Sequence, residues 1–170
     1  MYTIKKFSGN GSRSEFYKLH QRGKGFKTFR SYEDAEYARD IQRELSEWDL
    51  APRVYSEVGR IRIGERLSAW GYITEVAKVI TVHGMSCNCY RCDNLGNEHE
   101  EEIGELQNSI ERAGYYFGDA HVGNVGYITR NGKKIMVCID TGEESVQPDN
   151  DYDDYCSCAD CCARREYHYA

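Results

Sequence analysis

The sequence predicts an α+β fold in two parts: an N-terminal antiparallel sheet with one helix over residues 1–78, and a smaller lower half over residues 79–170. Three observations predict it. Short alternating runs separated by glycine-containing turns open the chain. A single amphipathic stretch follows them. Further along, Asn131-Gly132 stands between two alternating runs, the pattern of a two-residue hairpin whose turn needs positive φ at both positions.

Thr3 to Phe7 reads as the first strand, and Ser8-Gly9-Asn10-Gly11-Ser12 as the turn after it. Glu15 to Gln21 is the second strand and Phe26 to Arg30 the third, joined through Arg22-Gly23-Lys24-Gly25. Ser31 is placed to cap a helix, with Asp34 three residues on. That helix runs to about Trp48, with Ala38, Ile41, Leu45 and Trp48 on its apolar stripe. Val54-Tyr55 and Trp70 to Val76 read as two further strands. Thr81 to Asn97 has no period and is expected to be irregular. Asn97 would cap a second helix, whose first turn collects Glu98, Glu100, Glu101 and Glu102 where the helix dipole favours acids. Ile103, Leu106 and Ile110 form its buried stripe, and Gly114 ends it. Val125–Arg130 and Lys133–Ile139 then flank the Asn-Gly turn.

Composition narrows the classes. The chain has 170 residues, a net charge of −6 and 40% hydrophobic residues, enough for a packed core. The negative charge argues against a nucleic-acid partner. No apolar run is long enough to span a bilayer, so no membrane association is expected. The start, Met1-Tyr2-Thr3-Ile4-Lys5-Lys6, lacks the apolar segment of a secretory signal, which points to the cytoplasm.

Eight cysteines in such a chain call for a metal, because a reducing compartment disfavours disulfides. Cys87, Cys89 and Cys92 repeat the spacing of Cys156, Cys158 and Cys161, each triplet reading Cys-x-Cys-x-x-Cys. Two Cys-x-x-Cys turns can close a tetrahedral thiolate site with no open position, a structural zinc. Cys89, Cys92, Cys158 and Cys161 are the simplest set, with Cys87 and Cys156 as substitutes or as ligands of a second zinc. Disulfides, free thiols and an iron–sulfur cluster are the competing uses. Cys138 stands alone in a strand and reads as a small core residue.

Gly118-Asp119-Ala120-His121-Val122-Gly123-Asn124 lies between the second helix and the hairpin, and the hairpin leads into Asp140-Thr141-Gly142. One tight loop can aim Asp119 and Asn124 into the same cleft, and the hairpin returns Asp140 beside Asn124. Two oxygen donors converging in this way suit Mg²⁺ on phosphates. The loop and its order resemble the kinase-like fold shared by protein kinases, aminoglycoside phosphotransferases and choline kinases. The small-molecule branch, with its Gly-Asp-x-His-x-x-Asn loop, is the nearest in pattern. The resemblance implies that Asp119 serves the attacking hydroxyl while Asn124 and Asp140 hold Mg²⁺. It extends to Gly9 and Gly11 as a phosphate loop with Ser14 at the third glycine position, and to Lys27 as the third-strand phosphate clamp. Trp70–Val76, with Glu75, resembles the hinge strand whose backbone binds adenine. The acid paired with Lys27 is left open among Glu36, Asp40 and Glu44, since Ala38 occupies the inward position. Thr141 stands where the family usually has Phe. The helical region that binds the acceptor in that family is expected to be almost wholly missing.

The expectation is therefore a reduced kinase-like fold with a shortened, zinc-stapled lower lobe. Its function is read as Mg·ATP-dependent phosphoryl transfer to an unknown protein or small-molecule acceptor. The competing expectation is a catalytically silent, kinase-derived binding or structural module, such as a phage accessory or virion protein, located in the host cytoplasm or the virion.

Overall fold

The structure is a computed structural model and describes residues 4–10, 14–63, 67–80 and 90–149. Strands β1 (Ile4–Asn10), β2 (Ser14–Leu19), β3 (Lys24–Phe29), β4 (Gly59–Ile63) and β5 (Leu67–Glu75) form one antiparallel sheet in the order β1-β2-β3-β5-β4. Helix α1 (Tyr32–Glu47) crosses between β3 and β4. It starts as the sequence predicts: the Ser31 hydroxyl accepts from the Asp34 amide at 3.0 Å, satisfying one of the unpaired donors of the first turn. Ala35, Ala38, Ile41 and Leu45 face inward. Trp48 does not join that stripe and is 71% exposed. The helix has ended one residue earlier, and Asp49 at φ 56° turns the chain away from the buried face.

The edge strand beyond β5 differs from the sequence expectation. Val54-Tyr55 makes only a single bridge, Val54 to Thr74, and the strand beside β5 is β4. Its Arg60-Ile61-Arg62-Ile63 alternation is a legible strand signal. Helix α2 runs Tyr90–Arg112, well before the expected start. Asn97 is therefore inside the helix, and the Glu98–Glu102 acids lie in its body rather than at its positive end. Leu95, partly buried, packs on the same core as Ile103, Leu106 and Ile110, and this added contact offsets the helix cost of Asn94, Gly96 and Asn97. Gly114, at φ 87°, closes the helix as expected.

The Asn131-Gly132 hairpin joins β8 (Val125–Arg130) to β9 (Lys133–Cys138). Both turn residues have positive φ, 51° and 77°, as the type I′ turn demands. A short strand β6 (Lys78–Val79) adds to β8, and β7 (Tyr115–Phe117) pairs with β10 (Val146–Pro148) as a separate two-stranded ribbon. These strands are too short for period-two patterning to reveal. No helix among the described residues is long and apolar enough to cross a membrane.

Helix α1 is the shared wall of the molecule. Ala35 and Ala38 pack with Phe29 and Tyr72 of the large sheet. Ile41 and Leu45 belong to the main core, with Ile103, Leu106 and Ile110 of α2, Phe117, Val125, Met136, Cys138 and Val146. Polar ties reinforce this contact. The Cys138 amide donates to the Leu50 carbonyl at 2.9 Å, and the Tyr37 hydroxyl donates to the Val146 carbonyl at 3.0 Å.

At the opposite end of the hairpin, Arg130 spans three segments. Its Nη1 and Nη2 donate to the two oxygens of Glu75 at 2.6 Å each, and its Nε donates to Asp49 at 2.8 Å. The fork matches the carboxylate geometry. Burial works to raise the Glu75 pKa, but the Arg130 bonds and the Arg53 amide prevail and hold it below its ordinary value. Arg130→Met should cost about 1–3 kcal/mol of unfolding free energy at neutral pH, measured by urea denaturation. A depressed carboxylate stabilises fully above its unfolded value and loses that contribution as pH falls through the folded one. The difference between wild type and Arg130→Met should thus shrink below about pH 4. An undiminished difference there would mean that packing, not the ion pair, carries it.

Candidate functional site

The site forms where the large sheet meets the hairpin. Lys27 is an inward residue of β3, only 6% exposed, and an ammonium buried that far needs partners. Its Nζ lies 3.0 Å from the Ile139 carbonyl oxygen and 3.4 Å from Asp140 Oδ1. Burial by itself would lower the Lys27 pKa. The surrounding Tyr72, Asp140 and Cys138 side chains outweigh it and hold the group above the usual ammonium value. The Asp140 carboxylate beside it favours the ammonium form.

None of the three acids weighed from the sequence reaches Lys27. Glu36 accepts from the Tyr32 hydroxyl at 2.8 Å, Asp40 accepts from Arg39 Nε at 2.9 Å, and Glu44 accepts from the Tyr115 hydroxyl. The partner comes from the hairpin instead. The Thr141 hydroxyl donates to the Ala38 carbonyl at 2.8 Å, and both residues are fully buried. The segment after β9 is thereby pinned under α1, and Asp140 is delivered to Lys27.

Asn124 and Asp140 arrive together through the ladder. Val125 pairs with Cys138, and the Ile139 amide donates to the Asn124 carbonyl at 2.9 Å. Asn124 Nδ2 donates to Asp119 Oδ2 at 2.7 Å and to the Asp119 carbonyl at 3.0 Å. Its amide nitrogen is thus spent on the loop, which leaves the side-chain oxygen as its donor atom for a cation. His121 Nδ1 accepts from the Gly123 amide at 3.0 Å, so in the neutral ring the proton sits on Nε2. That Nε2 lies 3.5 Å from Asp119 Oδ2. His121 shapes the loop and faces Asp119 with a proton.

Two cavities adjoin the site, one bordered by Asp119 and the other by Asp140. One, of about 430 Å³, is lined by Tyr116, Gly118, Asp119, Glu144, Ser145 and Gln147. The other, of about 220 Å³, includes Ser14, Phe29, Glu33, Asp34, Asp140 and Gly142 in its wall. Glu144 and Ser145 line both. The second cavity is strongly acidic, so a polyphosphate fits there only with its charge neutralised by a cation. Among the described residues no three His, Cys, Asp or Glu side chains cluster as a complete metal site. Asp140 lines the second cavity, whereas Asn124 lines neither of the two.

The remaining residues singled out from the sequence divide as follows. Gly9 is in β1 opposite Phe16, next to a register shift after Phe7, and Gly11 lies outside the described residues. Glu75 ends β5, but its carboxylate is held by Arg130 and its amide donates to the Arg53 carbonyl at 2.9 Å. The Val76 amide donates to the Gly23 carbonyl. Any nucleobase contact at Glu75 and Val76 therefore falls to carbonyl oxygens. Cys92 falls within α2, while Cys87, Cys89, Cys156, Cys158 and Cys161 lie outside the described residues. Cys138 is fully buried in the core, where burial pushes its thiol pKa up, and it donates to the Asp140 carbonyl at 2.9 Å. Ser145, Gln147 and Tyr116 were not singled out, because nothing in their spacing marks them; only the β7–β10 pairing brings them to Asp119.

The Lys27–Asp140 pair predicts an asymmetric response. Asp140→Ala leaves a buried ammonium without its counter-charge and should cost on the order of 2 kcal/mol. Lys27→Met removes the cation and fills the space, and should cost less than half of that. Combining the two should recover most of the Asp140→Ala loss. Urea denaturation of the three variants measures the coupling, and simple additivity would show that the pair carries no energy.

The chain matches no protein-family model and no curated protein, so its own geometry and chemistry are the basis for assigning a function.

Proposed function

We propose that the protein is an Mg·ATP-dependent phosphotransferase of the kinase-like type. The observation that carries this reading is the Lys27–Asp140 ion pair at 3.4 Å, with the preceding Ile139 amide bonded to the Asn124 carbonyl and the Asn124 side chain bonded to Asp119. A buried lysine from the sheet, two oxygen donors from the hairpin and a carboxylate on the adjoining loop are the parts that phosphoryl transfer needs. The strand order β1-β2-β3-β5-β4, with α1 between β3 and β4, is in keeping with it.

Asn124 and Asp140 would hold Mg²⁺, which supplies charge neutralisation for the phosphates. Lys27, already protonated and aimed at Asp140, adds a second positive charge to the same place. Asp119 accepts the proton of the acceptor hydroxyl as its oxygen bonds to the γ-phosphorus; the bond from that phosphorus to the bridging oxygen breaks, and ADP leaves. Asn124 fixes Asp119 Oδ2 in position through its 2.7 Å bond. We further propose structural zinc, either one ion on Cys89, Cys92, Cys158 and Cys161 with Cys87 and Cys156 as substitutes, or two ions shared by all six thiolates, supported by the doubled Cys-x-Cys-x-x-Cys pattern.

One observation favours the silent binding module instead. The α1 acids Glu36, Asp40 and Glu44 are each bonded elsewhere, Lys27 has Asp140 as its acidic partner, and Asp140 Oδ1 also accepts from the Gly142 amide at 3.3 Å. A scaffold that merely satisfies its own charges would look the same.

Nucleotide-dependent melting separates the two. Mg·ATP at one hundred times its dissociation constant should add about 2.7 kcal/mol of stability. Asp140→Ala should abolish the Mg²⁺-dependent part, whereas Asp119→Ala should keep binding and lose transfer. A wild-type protein unmoved by millimolar Mg·ATP would leave the fold as a scaffold.

Metal content is checked separately. Purified protein should carry one or two zincs per chain by elemental analysis, and chelation should lower its melting temperature. Metal-free protein that stays folded with reduced thiols would remove the zinc.

A further inference from the structure

The net charge of −6 is an average over two opposite ends of the chain. Residues 1–30 hold eight Lys or Arg side chains against a single acid, Glu15. Residues 143–154 hold six acids and no Lys or Arg. As an average the charge argues against a nucleic-acid partner; its distribution does not.

The fold gathers part of the positive charge at one end of the large sheet. Lys18 pairs with Gly25, and Lys24 pairs with Glu75. The Glu75 amide then donates to the Arg53 carbonyl at 2.9 Å, which sets Arg53 beside β5. Arg22 lies in the turn between β2 and β3, two residues before Lys24. Lys18, Arg22 and Arg53 are exposed and Lys24 is half-buried. None of the four makes a salt bridge with a described carboxylate. The two acids nearest to them are already neutralised. Glu75 is held by Arg130 through both oxygens, and Glu57 is held by Arg39 and Arg43. The row from β2 to the Arg53 segment crosses three inter-strand spacings, about 14 Å.

An aromatic ring lies within this row. The Tyr55 amide donates to the Ile73 carbonyl at 2.8 Å, which fixes the residue alongside β5, yet its side chain is 44% exposed. The Lys24 ammonium lies 4.6 Å from the ring centroid. Cations for phosphates beside an accessible π-face are the parts of a single-strand site, since unpaired bases can stack while duplex bases cannot. An acidic peptide would satisfy the cations and leave the ring unused. An anionic membrane asks for more apolar contact, and the other exposed large apolar side chains among the described residues, Tyr32, Trp48 and Val79, are on other elements.

We propose that Lys18, Arg22, Lys24, Arg53 and Tyr55 form a binding surface for single-stranded nucleic acid. A base stacks on Tyr55, Lys24 meets the adjoining phosphate, and the other three cations follow the backbone. The surface is independent of the phosphotransferase reading, because it uses neither Lys27 nor the Asp119 and Asp140 groups.

The test is fluorescence anisotropy of a labelled oligouridylate of about 20 nucleotides with the full chain. Four neutralised phosphates predict that log K falls against log salt with a slope of about −3, and Arg22→Ala and Lys24→Ala should each bring it about 0.7 nearer zero. Tyr55→Ala should weaken binding at least about fivefold with the slope unchanged, and Tyr55→Phe should restore it. A wild-type slope shallower than about −1, or slopes that ignore Arg22→Ala and Lys24→Ala, would overturn the surface. Equal affinity for duplex RNA, polyaspartate or phosphatidylserine vesicles would overturn the single-strand assignment, as would a Tyr55→Ala variant that binds like wild type.

Discussion

A buried ammonium imposes a condition that much of this molecule meets. Lys27 lies under the sheet where water cannot solvate it, and a charge so placed is tolerated only with a carboxylate and a carbonyl at hand. Those partners come from the far side of the chain, at Asp140 and Ile139. To put them there, the hairpin must turn tightly at Asn131-Gly132, β8 and β9 must pair in a single register, and Thr141 must lock beneath α1 on the Ala38 carbonyl. Ala38 itself packs with Phe29, Ala35 and Tyr72.

The order in the loop follows from the same economy of polar groups. The Asp119 carboxylate is tied to Asn124, and His121 spends one ring nitrogen on the Gly123 amide while presenting the other to Asp119. Each polar side chain in this short segment orients its neighbour, so the geometry is set before a ligand arrives. Preorganised donors and acceptors lose little freedom on binding, which is where a small site gains affinity. Ser145 is the exception, and the only buried side-chain polar atom among the described residues left without a partner.

Much of this could be read from the chain because it is local. The Ser31 cap, the α1 stripe from Ala38 to Leu45, Gly114 as a stop and the Asn-Gly turn are decided by neighbours within a few residues. What escaped was decided by distant contacts. The early turns of α2 form because Leu95 finds the core, which no feature of the irregular Thr81–Asn97 segment announces. The strands β6, β7 and β10 exist because partners lie beside them, not because they alternate. At the site, the Asp119, Asn124 and Asp140 grouping was visible as loop plus hairpin, while the acid facing Lys27 was sought on the wrong element. Spacing along a helix can nominate Glu36, Asp40 or Glu44, but only the packed structure shows Tyr32, Arg39 and Tyr115 taking them up. Charge patterning alone could not have found the Ser145 wall.

The ties that close the cleft also have a temporal meaning. Lys27 meets Ile139 across 112 positions of chain, Tyr37 meets Val146 across 109, and Thr141 meets Ala38 across 103. Contacts of such separation repay their loop-closure entropy late, so they are expected after the local hairpins and helices have formed, and they slow the overall reaction. Helix α1 cannot bury both of its faces until the second half of the chain has been synthesised and has docked. A nascent chain halted before β9 would hold an amphipathic helix with one side bare and a lysine with no counter-ion, a species suited to chaperones and proteases rather than to function. The cleft is thus among the last parts of the molecule to come into being, and an intact cleft certifies that everything before it has folded.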